Sequence, residues 1–165
     1  MKFSLVILVL LLFTGLPEEK RGALSRPEKQ AVIDAHNKWR AKVGVKPLKW
    51  SAKLAADAQA WAEHLAASGC KMVHAGSPDG ENIYWSDYES KPAEVVDYWC
   101  SEIRYYRKPA PVTKRGAQRY GHYTQVVWHS TEFMGCGRAV CKDGAEIWVC
   151  RYYPQGNILG EKAYK

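Results

Sequence analysis

Residues 134–153 read MGCGRAVCKDGAEIWVCRYY. Two strand-like stretches, 134–141 and 146–153, flank Lys142-Asp143-Gly144-Ala145. Strand-like arms on either side of a short Asp-Gly turn predict a β-hairpin. Pairing the arms about that turn sets Cys136 almost opposite Cys150 and leaves Cys141 near the turn. A disulfide needs Cα atoms within about 7 Å, so Cys141 cannot easily bridge Cys150. The hairpin predicts Cys136–Cys150 and leaves Cys141 for a distant partner.

Upstream of the hairpin the apolar residues recur at helical spacing. A first helix begins near Ser25, where Ser25 and Glu28 stand at capping-box spacing and Pro27 suits a first turn. Val32, Ala35, His36 and Trp39 share one face, and Gly44 and Pro47 end the helix. A second helix starts at Ser51 with the stripe Leu54, Ala58, Trp61 and Leu65, and Gly69 stops it. A third is expected from Pro92 to Tyr106, with Val95, Val96, Trp99, Ile103 and Tyr106 on its buried side. The stretch 107–120 carries two Pro and five Lys or Arg and reads as a solvated loop.

The N-terminus reads differently. Met1-Lys2 is basic, Phe3–Phe13 is almost unbroken apolar sequence, and Glu18–Arg21 is fully charged. A membrane-spanning helix needs roughly 20 apolar residues. This run is shorter and reads as a signal peptide over residues 1–22, with an uncleaved anchor as the alternative. The folded domain is then 23–165. With 47% hydrophobic residues and seven Trp among 165, the chain has apolar surface enough for one core, which argues against global disorder. Secretion predicts that the five cysteines pair where geometry permits, with one left over.

The net charge is +7, and +6 without residues 1–22. A basic surface suits acidic glycans, anionic membranes or cell walls, or simply solubility. No helix-turn-helix, zinc-finger or ribonucleoprotein pattern supports nucleic acid as a partner.

Four residues carry candidate chemistry: His74, Glu81, Glu102 and His122. Glu102 lies beside the apolar stripe of the third helix and needs a partner, because burying a lone charge is costly. Two His and two Glu suit a divalent ion, acid–base work, or a hydrogen-bonded network that pins loops to a helix. There is no HExxH, CxxC or nucleophile elbow to decide for chemistry. His36, His64 and His129 read as surface or boundary residues, and Ser101, Ser130 and Thr131 as packing or capping residues.

Four segments together carry a resemblance. GHYTQVVWHST (Gly121–Thr131), VCRYYPQGN (Val149–Asn157), GENIYW (Gly80–Trp85) and HNKWR with PLKW (His36–Arg40, Pro47–Trp50) resemble, in order, motifs of the CAP superfamily of cysteine-rich secretory, antigen 5 and pathogenesis-related proteins. The single-domain plant pathogenesis-related class 1 type looks most similar. The resemblance implies an α+β fold, a three-layer α-β-α sandwich around an antiparallel sheet. It implies a central cleft lined by His74, Glu81, Glu102 and His122, with His74 and His122 as candidate zinc ligands. It also implies the disulfides Cys70–Cys141 and Cys136–Cys150.

Two departures stand out. Tyr120 replaces a family Cys, which removes one bridge and predicts a freer 107–120 loop. Cys100 has no family partner and is either a small buried hydrophobe or an intermolecular thiol. The tail from Pro154 resembles a plant signalling peptide, although Ala163 replaces the usual Pro. The function this implies is a secreted, monomeric, non-catalytic binding module. It would take sterols or fatty acids, or cell-wall, membrane or receptor partners, and require no cofactor. A zinc-dependent hydrolase and a peptide precursor are the alternatives.

Overall fold

The computed structural model describes residues 22–165. The signal-peptide reading therefore lies outside the described residues, except for Gly22. In chain order the elements are helix α1 (Arg26–Lys42), strand β1 (Lys49–Trp50), helix α2 (Ala52–Ala67), strand β2 (Gly80–Ser86), helix α3 (Pro92–Cys100), a 3-10 turn (Ser101–Tyr105), helix α4 (Lys114–Val126), and strands β3 (Phe133–Val140) and β4 (Glu146–Tyr153).

The expected hairpin sits at the centre. β3 and β4 pair antiparallel with Cys136 directly opposite Cys150, and the two are disulfide-bonded. β2 adds antiparallel to the free side of β4, and the two-residue β1 pairs parallel with β3 at the opposite edge. Helix α2 covers one face of the sheet. Gly135 and Gly137 let it approach, because a Cβ at either would stand within 2.3 Å of α2 backbone. Ala58, Ala62, Leu65, Ile83, Ile147 and Val149 form the core on that side. Helices α1, α3 and α4 cover the other face around Trp99, Trp128 and Trp148, all fully buried. Burying each such large apolar side chain is worth on the order of 2–3 kcal/mol. The result is a three-layer α-β-α sandwich.

Cys141 bonds Cys70, 71 residues upstream, and ties the hairpin turn to the end of α2. Closing a loop of that length removes about 4 kcal/mol of unfolded-state entropy in the chain-entropy model. Cys100 is buried and free, as a small hydrophobe would be.

Helix α1 starts at the expected capping box. The Ser25 amide donates to Glu28 Oε2 at 2.8 Å, and the Glu28 amide donates back to Ser25 Oγ at 3.4 Å. Two expectations need correction. The third helix does not run unbroken to Tyr106; it tightens to 3-10 geometry at Ser101, whose hydroxyl donates to the Tyr98 carbonyl at 2.7 Å. Such local bonds compete with the helical ladder. The stretch 107–120 is not a loop throughout. Both prolines fall before Thr113, and Thr113 Oγ1 caps α4 by accepting from the Gly116 amide at 3.0 Å. Gly116 and Gly121 depress helix propensity, and the cations obscure the apolar period. Tyr120 packs its ring 4.9 Å from that of Tyr106 and anchors this helix by contact.

His36 also differs from expectation. It is completely buried, not a boundary residue. One helical turn on, Arg40 is buried as well. Its guanidinium donates to the carbonyls of Lys46 (2.7 Å), Val126 (3.0 Å), Trp128 (2.8 Å) and Thr131 (3.0 Å). Those carbonyls include the negative end of the α4 dipole, where a cation is favoured. Burial lowers the Arg40 pKa to about 10, so the side chain stays charged at neutral pH.

Arg40→Met keeps the bulk of the side chain but strips several buried carbonyls of their donor. An unfolding free energy lowered by about 3–5 kcal/mol in urea titrations is expected. A loss below about 1 kcal/mol would mean that water replaces the guanidinium without difficulty.

Candidate functional site

The four singled-out residues form two His–Glu pairs. His74, in the loop after α2, donates its Nδ1–H to Glu81 Oε1 at 2.6 Å. Glu81 also accepts the Ala75 amide at 3.2 Å. Its other oxygen lies 3.2 Å from Arg151 Nη2, and both partners of this ion pair are about 95% buried. The pair is close but not aligned as a hydrogen bond: Glu81 Oε2 and Arg151 Nε have no hydrogen-bond partner, while Arg151 Nη1 donates to Ser77 Oγ. Arg151 stands directly opposite Glu81 in the β2–β4 register.

The second pair is tighter. His122, on α4, donates Nδ1–H to Glu102 Oε1 at 2.7 Å. Glu102 Oε2 accepts the amides of His122 (3.0 Å) and Tyr123 (3.2 Å). The carboxylate of the 3-10 turn thus grips α4 through one side chain and two backbone groups. The His122 ring stacks over Trp99, 6.3 Å between centroids.

Asn82 links the two pairs. It follows Glu81 on β2, and its Nδ2 donates to the His122 carbonyl at 3.1 Å and toward Tyr152 Oη at 3.3 Å. The Tyr152 hydroxyl in turn donates to His36 Nε2 at 2.8 Å, because His36 Nδ1–H is committed to the Val32 carbonyl at 2.7 Å. Sequence reasoning singled out the His and Glu but missed Asn82, Arg151, Tyr152, His36 and Arg40. All five lie inside the quoted motifs, which was the available signal.

The hydroxyls of Ser130 and Thr131 have the local bonding partners that packing or capping residues need. Ser130 Oγ accepts from Trp128 Nε1 at 3.0 Å, and Thr131 Oγ1 donates to the Pro154 carbonyl at 2.9 Å. Among the described residues no group of three or more His, Cys, Asp or Glu is placed to hold a metal ion.

A model of the cysteine-rich secretory protein family, CAP, matches residues 33–152. The chain belongs to this family. Pathogenesis-related protein 1C of Nicotiana tabacum is 38% identical over 136 residues, covering 82% of this chain and 80% of the relative. Pathogenesis-related protein PRMS of Zea mays is 36% identical over 164 residues, covering 98% and 97%. The solved structure of BmVAL-1 is 28% identical with a TM-score of 0.74, covering 88% of this chain and 85% of that one.

In this CAP chain a cavity of about 1,010 Å³ lies away from the His–Glu pairs, between the α1–β1 loop, the segment 129–132 and the C-terminal tail. Val43, Val45, Pro47 and Tyr164 supply apolar lining, and the exposed Lys46, Lys49, Lys162 and Lys165 stand around it with Glu132 and Glu161. The tail that borders it is fixed to the domain. The Ala163 carbonyl accepts the His129 amide at 2.8 Å, and Ala163 is fully buried.

Two histidines are tuned in opposite directions. Burial pushes His36 down to about 4, against its bond to Val32 and with help from the Arg40 charge. The Glu81 hydrogen bond raises His74, opposed by partial burial. His36 therefore contributes stability that is complete above pH 6.5 and is lost as pH falls through 6.5 toward 4. The His74–Glu81 bond contributes stability that is complete below 6.5 and is lost as pH rises through the raised value. For His36 the difference is worth about 3 kcal/mol. Urea unfolding should show a greater stability at pH 7 than at pH 4, by about that order less the opposing His74 contribution. Ring-nitrogen NMR should find His36 neutral at pH 5.5, with His74 still protonated above pH 6.5. A His36 that titrates near 6.5 would contradict the buried network.

Proposed function

We propose that this CAP protein is a secreted, non-catalytic binding module whose ligand is an amphiphile with an apolar body and an anionic head, a long-chain fatty acid before a sterol. The observation that carries this is the cavity beside the tail: apolar walls with four lysines against two glutamates around them. Its size falls in the range of small-molecule sites, and apolar burial supplies most of the affinity for such ligands. The lysines favour a carboxylate head over a sterol hydroxyl. Two disulfides and pathogenesis-related relatives support an extracellular setting.

The His–Glu pairs support pinning over chemistry. A catalytic base needs a free carboxylate oxygen near its proton donor. Glu102 already accepts three hydrogen bonds. Glu81 Oε1 accepts from His74 and Ala75, and its Oε2, which accepts no hydrogen bond, is buried against the Arg151 cation, which stabilises the carboxylate and weakens it as a base. Zinc sites built by a protein carry three or four protein ligands. His74 and His122, with Nδ1 bonded to carboxylates, offer only two ring nitrogens, so the donor set falls short of a resident catalytic zinc.

Titration of a fluorescent long-chain fatty acid into the oxidised protein should saturate and be unaffected by chelator. Val45→Asp should weaken it by about tenfold or more, since one buried charge costs well over 1.4 kcal/mol. An unchanged affinity in Val45→Asp would remove this cavity as the site. Loss of binding with chelator would return the metal to the account.

A further inference from the structure

We infer that the exposed cationic strip formed by the 3-10 turn, the following loop and the start of α4 is a docking surface for a linear acidic polysaccharide, distinct from the apolar cavity.

From Ile103 to Thr131 the chain has no Asp or Glu. Within that span Arg104, Arg107, Lys108, Lys114, Arg115 and Arg119 are all exposed. The 3-10 turn packs against α4, which brings the two ends of the strip together. Arg104 and Arg119 are carried by one ring: their guanidinium carbons lie 4.8 and 4.7 Å from the centre of Tyr105. Cation–π attraction holds both like charges on a single platform. Their planar forks match carboxylates two atoms at a time.

The acids that border the strip do not neutralise it. Glu102 is consumed by His122 and two backbone amides. Glu161, in the tail, meets the strip through its backbone, whose carbonyl accepts the Val112 amide at 2.8 Å, and the exposed Lys162 beside it offsets its charge. The strip therefore gathers six exposed cations, two of them on one ring, with no Asp or Glu in its own sequence, which suits a polymer that presents several carboxylates at close spacing.

Other polyanions fit less well. A bilayer-seeking surface projects apolar side chains from its basic face, whereas Ile103, Tyr106, Val112 and Ala117 pack into the core. Single-stranded nucleic acid needs open aromatic faces for its bases, whereas Tyr105 already carries two guanidinium groups.

The test is calorimetric titration of the oxidised protein with polygalacturonate fragments of about ten sugars, with fully methyl-esterified fragments and phosphatidylserine vesicles as comparators. Binding to the acidic fragments should weaken as salt rises and vanish on esterification. Arg104→Gln/Arg119→Gln should lower affinity by about tenfold or more. Lys38→Gln/Lys71→Gln, which removes the same charge from exposed sites elsewhere, should change it by less than about twofold. Thermal melts of both double variants should match the wild type, since all four side chains are exposed. Equal losses in the two variants would reduce the effect to net charge and overturn the proposal. So would tighter binding to the vesicles than to the fragments, or no binding to the fragments at low salt.

Discussion

Arg40 brings a full positive charge into the interior and satisfies it with backbone carbonyls from three separate segments. Removing a charge from water costs several kcal/mol unless its hydrogen bonds are replaced. The end of α4, the turn at 128–131 and the loop after α1 must therefore arrive together in one arrangement. Four residues earlier on the same helix, His36 engages Tyr152, and Tyr152 meets Asn82, whose amide reaches the end of the His122 residue. One face of α1 thus registers α4, β4 and β2 against each other.

This constraint accounts for the motifs as a set. HNKWR supplies His36 and Arg40; GHYTQVVWHST supplies three of the four carbonyls that Arg40 binds, and His122; VCRYYP supplies Arg151 and Tyr152; GEN supplies Glu81 and Asn82. Their side chains look reactive in sequence because buried polar groups and catalytic groups draw on the same residue types. In three dimensions they are largely paired with one another, as buried polar groups must be. What they position are two surfaces beside them: an apolar cavity with lysines around it, which takes part of its lining from PLKW and from the end of GHYTQVVWHST, and a cationic strip.

Much of the fold was legible from local signals. The Asp-Gly turn set the β3–β4 register and hence Cys136–Cys150. Ser25 with Glu28, and Ser51, marked two helix starts that the structure reproduces. Helix α4 was not legible, because two prolines, two glycines and a row of cations hid a helix whose cap, Thr113, lies just past the prolines. The His–Glu partners were foreseeable only through family resemblance, since seven and twenty residues separate the members of each pair. Burial of His36 was missed for a related reason: its partner Tyr152 is 116 residues away. The cavity is assembled from a loop, a turn and the tail, and no local pattern announces such a site.

The central claim is that ligand binding belongs to the cavity beside the tail while the His–Glu pairs hold the fold. Chemical-shift mapping of the isotopically labelled, oxidised protein with a long-chain fatty acid tests it most directly. The account predicts saturable shifts at residues 43–49, 129–132 and 161–165, with the ring signals of His74 and His122 unmoved. Shifts centred on His74, Glu81, Glu102 and His122, with the tail silent, would contradict it.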